Sequence, residues 1–343
     1  MEPAQKRFVD SLISWDLVRR RLDRYPAIRS AFPLDLLAQR RESEPYFCHY
    51  MAWRLGTWTN ESVMSRLDDL LEAASRLPNW SSERGLLESA EFGDFWSLLW
   101  QLQVAEYLAG VGEDVQWNMS GPDLSVRLDG RPLFVECYSY HKSFGLELFI
   151  EEVLTHIGTD IHVEHDFFMP FSLPANNQRS EFLNRTLSPF LDLASIQEFR
   201  AMARTRYPVA VSTPASTLVI YVDGPDPDRY DPTVLPQKTG RPEEYLGVIL
   251  REAVRAKSGS NRMADHRPNL LAVNYALSAE AQVAIDRQGT LKQPLPLVEL
   301  GSSIDAFALS TIGINEALTR AQLLLVASRS DQHLAREITS HAW

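Results

Sequence analysis

Two carboxylates stand where a carboxylate is costly. Asp123 follows Gly121-Pro122 and opens the apolar run Leu124 to Leu128. Glu136 sits in the middle of Leu133-Phe134-Val135-Glu136-Cys137-Tyr138-Ser139-Tyr140, a run whose apolar neighbours predict a buried strand. Burying an unpaired carboxylate is unfavourable. A paired or metal-bound one is tolerated, and divalent cations such as Mg²⁺ favour oxygen ligands of this kind. A third acid, Glu106, lies about one turn from Leu102 and Ala109, beside the apolar face of a predicted helix. Each acid also has a plainer reading. Asp123 would cap its own turn, Glu136 would face water from an edge strand, and Glu106 would be an ordinary flank residue of an amphipathic helix.

The elements that must position these acids follow from periodicity. Phe95, Leu98, Leu99, Leu102, Ala105 and Ala109 share one side of a helix over Phe92 to Gly110, which ends at Gly110 and Gly112. Extended runs are predicted at Asp114 to Trp117, Leu124 to Leu128 and Leu133 to Tyr140. Gly121-Pro122 and Asp129-Gly130 supply the turns between them. A helix followed by a three-strand meander therefore carries the three acids.

Before residue 90 the pattern is helical throughout, as in Leu12 to Leu22, Pro33 to Arg41 and Val63 to Leu77, and it holds no chemical motif. After the meander, helices are expected at Leu146 to His156, within Arg179 to Tyr207 and at Glu243 to Lys257. Strands are expected at Thr217 to Val222, Asn269 to Tyr275, Asp305 to Leu309 and Gln322 to Ala327. Alternation of this kind favours an α/β sandwich around one central sheet.

The order Glu106, Gly121-Pro122-Asp123 and Glu136-x-Tyr138, on helix, strand and strand, resembles the PD-(D/E)XK superfamily of restriction endonucleases and related nucleases. The resemblance covers residues 92 to 140. It extends weakly to Arg241 to Tyr275, where a basic helix precedes a buried strand. It implies a restriction-endonuclease-like core, a central mixed sheet flanked by helices, over residues 91 to 343 with insertions, behind an α-helical region over residues 1 to 90. It further implies Asp123 and Glu136 as ligands of Mg²⁺ or Mn²⁺, the backbone carbonyl of Cys137 as another ligand, and Glu106 as an accessory one. The implied activity is hydrolysis of phosphodiester bonds, in DNA first of all, with defence against foreign DNA as the setting.

One departure stands out. The superfamily places a Lys two residues after the second acid, and here that residue is Tyr138. Strand parity puts Phe134, Glu136, Tyr138 and Tyr140 on one face. Tyr138 can hydrogen-bond a water but carries no positive charge near neutral pH. Lys142 has the right parity yet lies six residues from Glu136, roughly 20 Å along an extended strand. Lys257, Arg251 or Arg255 from the later helix are further substitutes, and the sequence does not choose among them. A second reading therefore stays open: a nuclease-like module without catalysis that binds nucleic acid or a protein partner.

Other features bound the function. The net charge of −11 argues against a surface coated in phosphate-binding cations, although Arg251 to Arg267 gathers five Lys and Arg against two acids. Cys48 and Cys137 are the only cysteines. They are too few for a disulfide framework, and a reducing cytoplasm is expected. No apolar run approaches the roughly 18 to 20 residues that span a bilayer. His156, Asp160, His162, His165 and Asp166 cluster in sequence. Ile161 to His165 reads as extended, however, which sends His162 and His165 to opposite faces and argues against a shared metal. No Gly-x-Ser-x-Gly elbow, phosphate loop or Gly-x-Gly-x-x-Gly is present.

Overall fold

Alternation and turn chemistry dictate the centre of the molecule. In the computed structural model, Glu113–Trp117 (β1), Leu124–Leu128 (β2) and Arg131–Ser139 (β3) form an antiparallel meander. Asp129 and Gly130, both with positive φ, close its second turn. Leu124, Val126, Leu128, Leu133, Val135 and Cys137 are buried, and by parity they share one face. The opposite face carries Ser125, Arg127, Pro132, Phe134, Glu136 and Tyr138.

The structure describes residues 9–39, 49–57, 61–90, 92–139, 161–166, 209–212, 217–222, 253–257, 261–274, 303–310 and 324–328, with residues 152, 153, 156, 197, 201 and 251 besides. Ile161–Asp166 (β4), Val209–Ser212 (β5) and Thr217–Val222 (β6) make a small antiparallel sheet of order β4-β6-β5. Asn269–Asn274 (β7), Ala306–Ser310 (β8) and Leu324–Ser328 (β9) extend the meander into a six-stranded sheet of order β1-β2-β3-β7-β8-β9. The β3–β7 and β7–β8 pairs are parallel, and β8–β9 is antiparallel. The sheet is mixed and the fold is α/β. All six residues of β7 are buried, so β7 is covered on both faces, as parallel strands require.

The twenty-residue helix Phe92–Val111 packs on the apolar face of the meander, and its Trp100 Nε1 donates to the carbonyl of Ala272 on β7. The described residues before 90 contain the principal helices Trp15–Arg24, Tyr50–Thr57 and Glu61–Ser75. Ser14 caps the first of these by accepting from the Leu17 N–H. The helices join the same apolar core as the sheet, which runs from Val9 to Ala308. Trp117 Nε1 on β1, for example, donates to the carbonyl of Ala74. Of the run Pro33 to Arg41, the described part, 33–39, holds the short helix Leu34–Leu37, and Arg40, Arg41, Lys142, Cys48 and Asp160 lie outside the described residues. Among the described residues, no helix is long and apolar enough to cross a membrane.

Candidate metal centre

Cross-strand register brings the two sequence-flagged acids together. Leu124 pairs with Val135, so one step further places Asp123 opposite Glu136. Directly opposed residues hold their Cβ atoms about 4.5–5.5 Å apart, and like charges in that relation repel. The turn that delivers Asp123 is tied down by Asn118. Its N–H donates to the Asp123 carbonyl at 3.1 Å and its amide nitrogen to the Pro122 carbonyl at 2.9 Å, while Ser125 Oγ donates to its Oδ1 at 3.0 Å. Gly121 adopts φ +91°, and a Cβ there would stand 2.7 Å from the imidazole of His266. Only glycine suits both the conformation and the close approach.

Asp123 is not a self-capping turn residue. Its Oδ2 accepts from the Cys137 N–H on β3 at 2.7 Å, one residue past Glu136. Glu136 is not an edge residue either. Strand β3 lies between β2 and β7, and Glu136 is 0% exposed. One of its oxygens, Oε1, accepts from Lys257 Nζ at 2.5 Å. The other, Oε2, is buried without a hydrogen-bond partner among the described residues.

Lys257 closes helical residues 253–257, 121 residues beyond Glu136, and supplies the cation that Tyr138 does not. Of Arg251, Arg255 and Lys257, Lys257 is the one placed on the acid. Tyr138 is half-buried and packs against the core.

Burial and then the charge of Glu136 push the Asp123 carboxyl up to about 7, against the opposing pull of Lys257 and of the Cys137 N–H. Burial would lower the Lys257 ammonium, but Asp123 and Glu136 outweigh it and hold it above its ordinary value. The Cys137 thiol is pushed well up by burial and by the same acids, which makes it an inert core group.

Glu106 is not delivered to this pair. Its two oxygens accept both guanidinium nitrogens of Arg66, from helix Glu61–Ser75, in a fork that commits the carboxylate elsewhere. The further acid whose charge reaches Asp123 is Glu83, buried at the end of the short 3₁₀ turn Trp80–Glu83. No periodic signal in the sequence ties Glu83 to Asp123.

His156 rests edge-on against Trp53 at 5.3 Å, and His162 and His165 lie on β4. Among the described residues, no group of three or more His, Cys, Asp and Glu side chains is gathered as a metal cage. What the structure presents is two opposed carboxylates, one unpartnered buried oxygen and one lysine. No family model, no curated protein and no solved structure matches this chain.

Proposed function

We propose that this chain is a Mg²⁺- or Mn²⁺-dependent nuclease whose centre is Asp123, Glu136 and Lys257. One observation carries the reading: Glu136, wholly buried on an inner strand, leaves Oε2 unpartnered among the described residues, while the β2–β3 register, continued by one residue, sets it opposite a second carboxylate. A buried acid that served only the fold would be expected to have its lone pairs satisfied. The order of helix, meander, helical residues 253–257 and buried parallel strand also agrees with the PD-(D/E)XK core that the acid spacing resembles.

The donor set fits a hard cation. Mg²⁺ is commonly held by one or two carboxylates, completing its shell with water and substrate phosphate, and needs no all-protein cage. Asp123 and Glu136 would hold it, with the Cys137 carbonyl adjacent on the same strand. A bound divalent ion supplies Lewis-acid polarisation of a phosphodiester and a more acidic attacking water. The chain's own part is separate. The turn tied by Asn118 fixes Asp123, the inner strand fixes Glu136, and Lys257 brings a positive charge that can orient water or offset charge on the phosphoryl oxygens. In the metal-free protein that charge rests on Glu136 and limits the repulsion between the acids.

The test is cleavage of plasmid and linear DNA, with RNA beside them, in Mg²⁺ or Mn²⁺. Asp123→Asn and Glu136→Gln are expected to abolish cleavage. Lys257→Met is expected to lower it by roughly 10²- to 10⁴-fold, the range for loss of a positioned proton-transfer or electrostatic group. Cleavage that survives both acid substitutions removes the assignment. Binding with no cleavage by the wild type, in either metal, supports a binding module in its place.

A further inference from the structure

The face of the meander that carries Glu136 also carries a cleft of about 380 Å³, lined among others by Pro78, Asp114, Gln116, Ser125, Arg127 and Phe134. Its position is set by register. Ser125 pairs with Phe134, and the same register continued past Leu124–Val135 sets Asp123 against Glu136 on that face. The cleft therefore begins two residues from the acid pair along both strands, roughly 7 Å away.

Three properties define what the cleft takes. Its volume lies at the small end of ligand sites, with room for one nucleoside and not for a segment of duplex. Its charge is balanced: Arg127 Nη1 and Asp114 Oδ2 pair at 3.0 Å on its rim, so it offers no excess cation for a phosphate. Phe134 gives it an aromatic wall, and that ring meets the imidazole of His266 edge-on at 5.1 Å, which itself lies over Gly121. The amide of Gln116 adds a hydrogen-bonding group, and Ser125 Oγ, whose proton goes to Asn118, can still accept. A neutral pocket with an aromatic wall and amide and hydroxyl edges suits a nucleobase.

The backbone is also bent to make it. Between Glu113 and Gln116 the β1–β2 register shifts, and Asp114 takes φ +53°, an uncommon conformation for any residue but glycine. A bulge of this kind re-aims side chains and is over-represented beside active sites. Here it sets Asp114 in the cleft wall against Arg127.

We infer that the cleft holds one unpaired nucleobase, stacked on Phe134, next to the phosphodiester presented to Asp123 and Glu136. The substrate class is then single-stranded nucleic acid, or a strand from which one nucleotide has been extruded, in preference to intact duplex. This inference rests on the nuclease reading for its meaning, but binding can be measured apart from cleavage.

The experiment measures fluorescence anisotropy of labelled single-stranded DNA, single-stranded RNA and a blunt duplex of the same sequence, all in EDTA. Single strands are expected to bind at least about tenfold tighter than the duplex. Phe134→Leu, which keeps an apolar side chain but removes the ring, is expected to weaken single-strand binding about tenfold, in line with the loss of one stacked base, and to leave duplex binding unchanged. A single abasic site moved along the oligonucleotide should weaken binding chiefly at one position. Equal affinity for duplex and single strand, or full single-strand affinity in Phe134→Leu, overturns the inference. Should Phe134→Leu fail to fold by circular dichroism, Gln116→Ala decides at an exposed position, with the same two outcomes. Base-dependent binding by a wild type that cuts nothing in any metal would remove the nuclease reading and leave the pocket. Duplex cleavage indifferent to Phe134→Leu would do the reverse.

Discussion

Glu136 and Glu152 are both desolvated, and their surroundings differ in kind. Glu152 accepts from Tyr50 Oη at 2.8 and 2.9 Å and from Trp53 Nε1 at 3.1 Å, and it pairs with Arg54 Nη2 at 2.6 Å. Arg54 is itself buried and lies over the rings of Tyr50 and Trp96. Burial raises the carboxyl of Glu152, and Arg54 with two hydrogen bonds works against that rise. Every partner comes from helix Tyr50–Thr57, so the network fastens the N-terminal helices to the chain that follows β3. Glu136 is more deeply buried and, among the described residues, has one partner at Oε1, none at Oε2 and a like charge opposite. Both carboxylate oxygens of Glu152 are engaged, whereas among the described residues Glu136 has only one engaged, and that difference is what sets the two acids apart.

The largest expected effect breaks the Glu152 network. Glu152→Ala leaves the Arg54 guanidinium buried without its anion, a change that costs about 3–5 kcal/mol in comparable buried pairs. Urea unfolding should show that loss. Glu136→Gln removes one of two opposed charges and leaves Lys257 beside Asp123, so the metal-free protein should keep its stability to within about 1 kcal/mol while metal binding, read by calorimetry, disappears. Similar destabilisation by the two substitutions would erase the distinction drawn between the two acids.

The next effect concerns protons. The Asp123 carboxyl is raised from an ordinary 3.8 to about 7, by burial first and Glu136 second. The folded chain therefore binds this proton more tightly than the unfolded chain does. The resulting stabilisation is full below about pH 4, declines as pH rises through the interval to 7, and is gone above it. Asp123→Asn is neutral at every pH. It should melt with the wild type near pH 4 and several degrees above it at pH 8, since a roughly thousandfold difference in proton affinity is worth about 4 kcal/mol. Mg²⁺ should close that gap at pH 8 by stabilising the wild type alone. A constant difference across the range would show that Asp123 ionises in the folded protein as it does in the unfolded one.

Local chemistry was legible in the sequence, and long-range placement was not. Strand parity put Glu136 on the same face as Phe134 and Tyr138, and Gly121-Pro122 announced the turn before Asp123, because both depend on neighbours a few residues away. The strands Leu124–Leu128 and Thr217–Val222 fall where alternation and apolar runs put them. The cation was different. Lys257 reaches Glu136 across 121 residues through the crossover into the parallel strand β7, and periodicity cannot say which of Lys257, Arg251 and Arg255 arrives. Glu83 was equally silent, since its effect on Asp123 arises from packing between a 3₁₀ turn and the meander.

Glu106 gives the smallest and sharpest test of the same boundary. Its spacing matched an accessory acid, yet Arg66, forty residues earlier, holds both of its oxygens. The pair is partly exposed, with 21% and 26% of the two side chains accessible. Pairs open to solvent in this way contribute at most about 1 kcal/mol, because water screens the attraction and ordering two long side chains opposes it. Glu106→Gln should therefore lower stability by no more than that and leave cleavage within about twofold of wild type, while Arg66→Met should do the same. A fall in cleavage of about a hundredfold for Glu106→Gln, with Arg66→Met unaffected, would mean that the carboxylate leaves Arg66 and joins Asp123 and Glu136 when substrate and metal are bound.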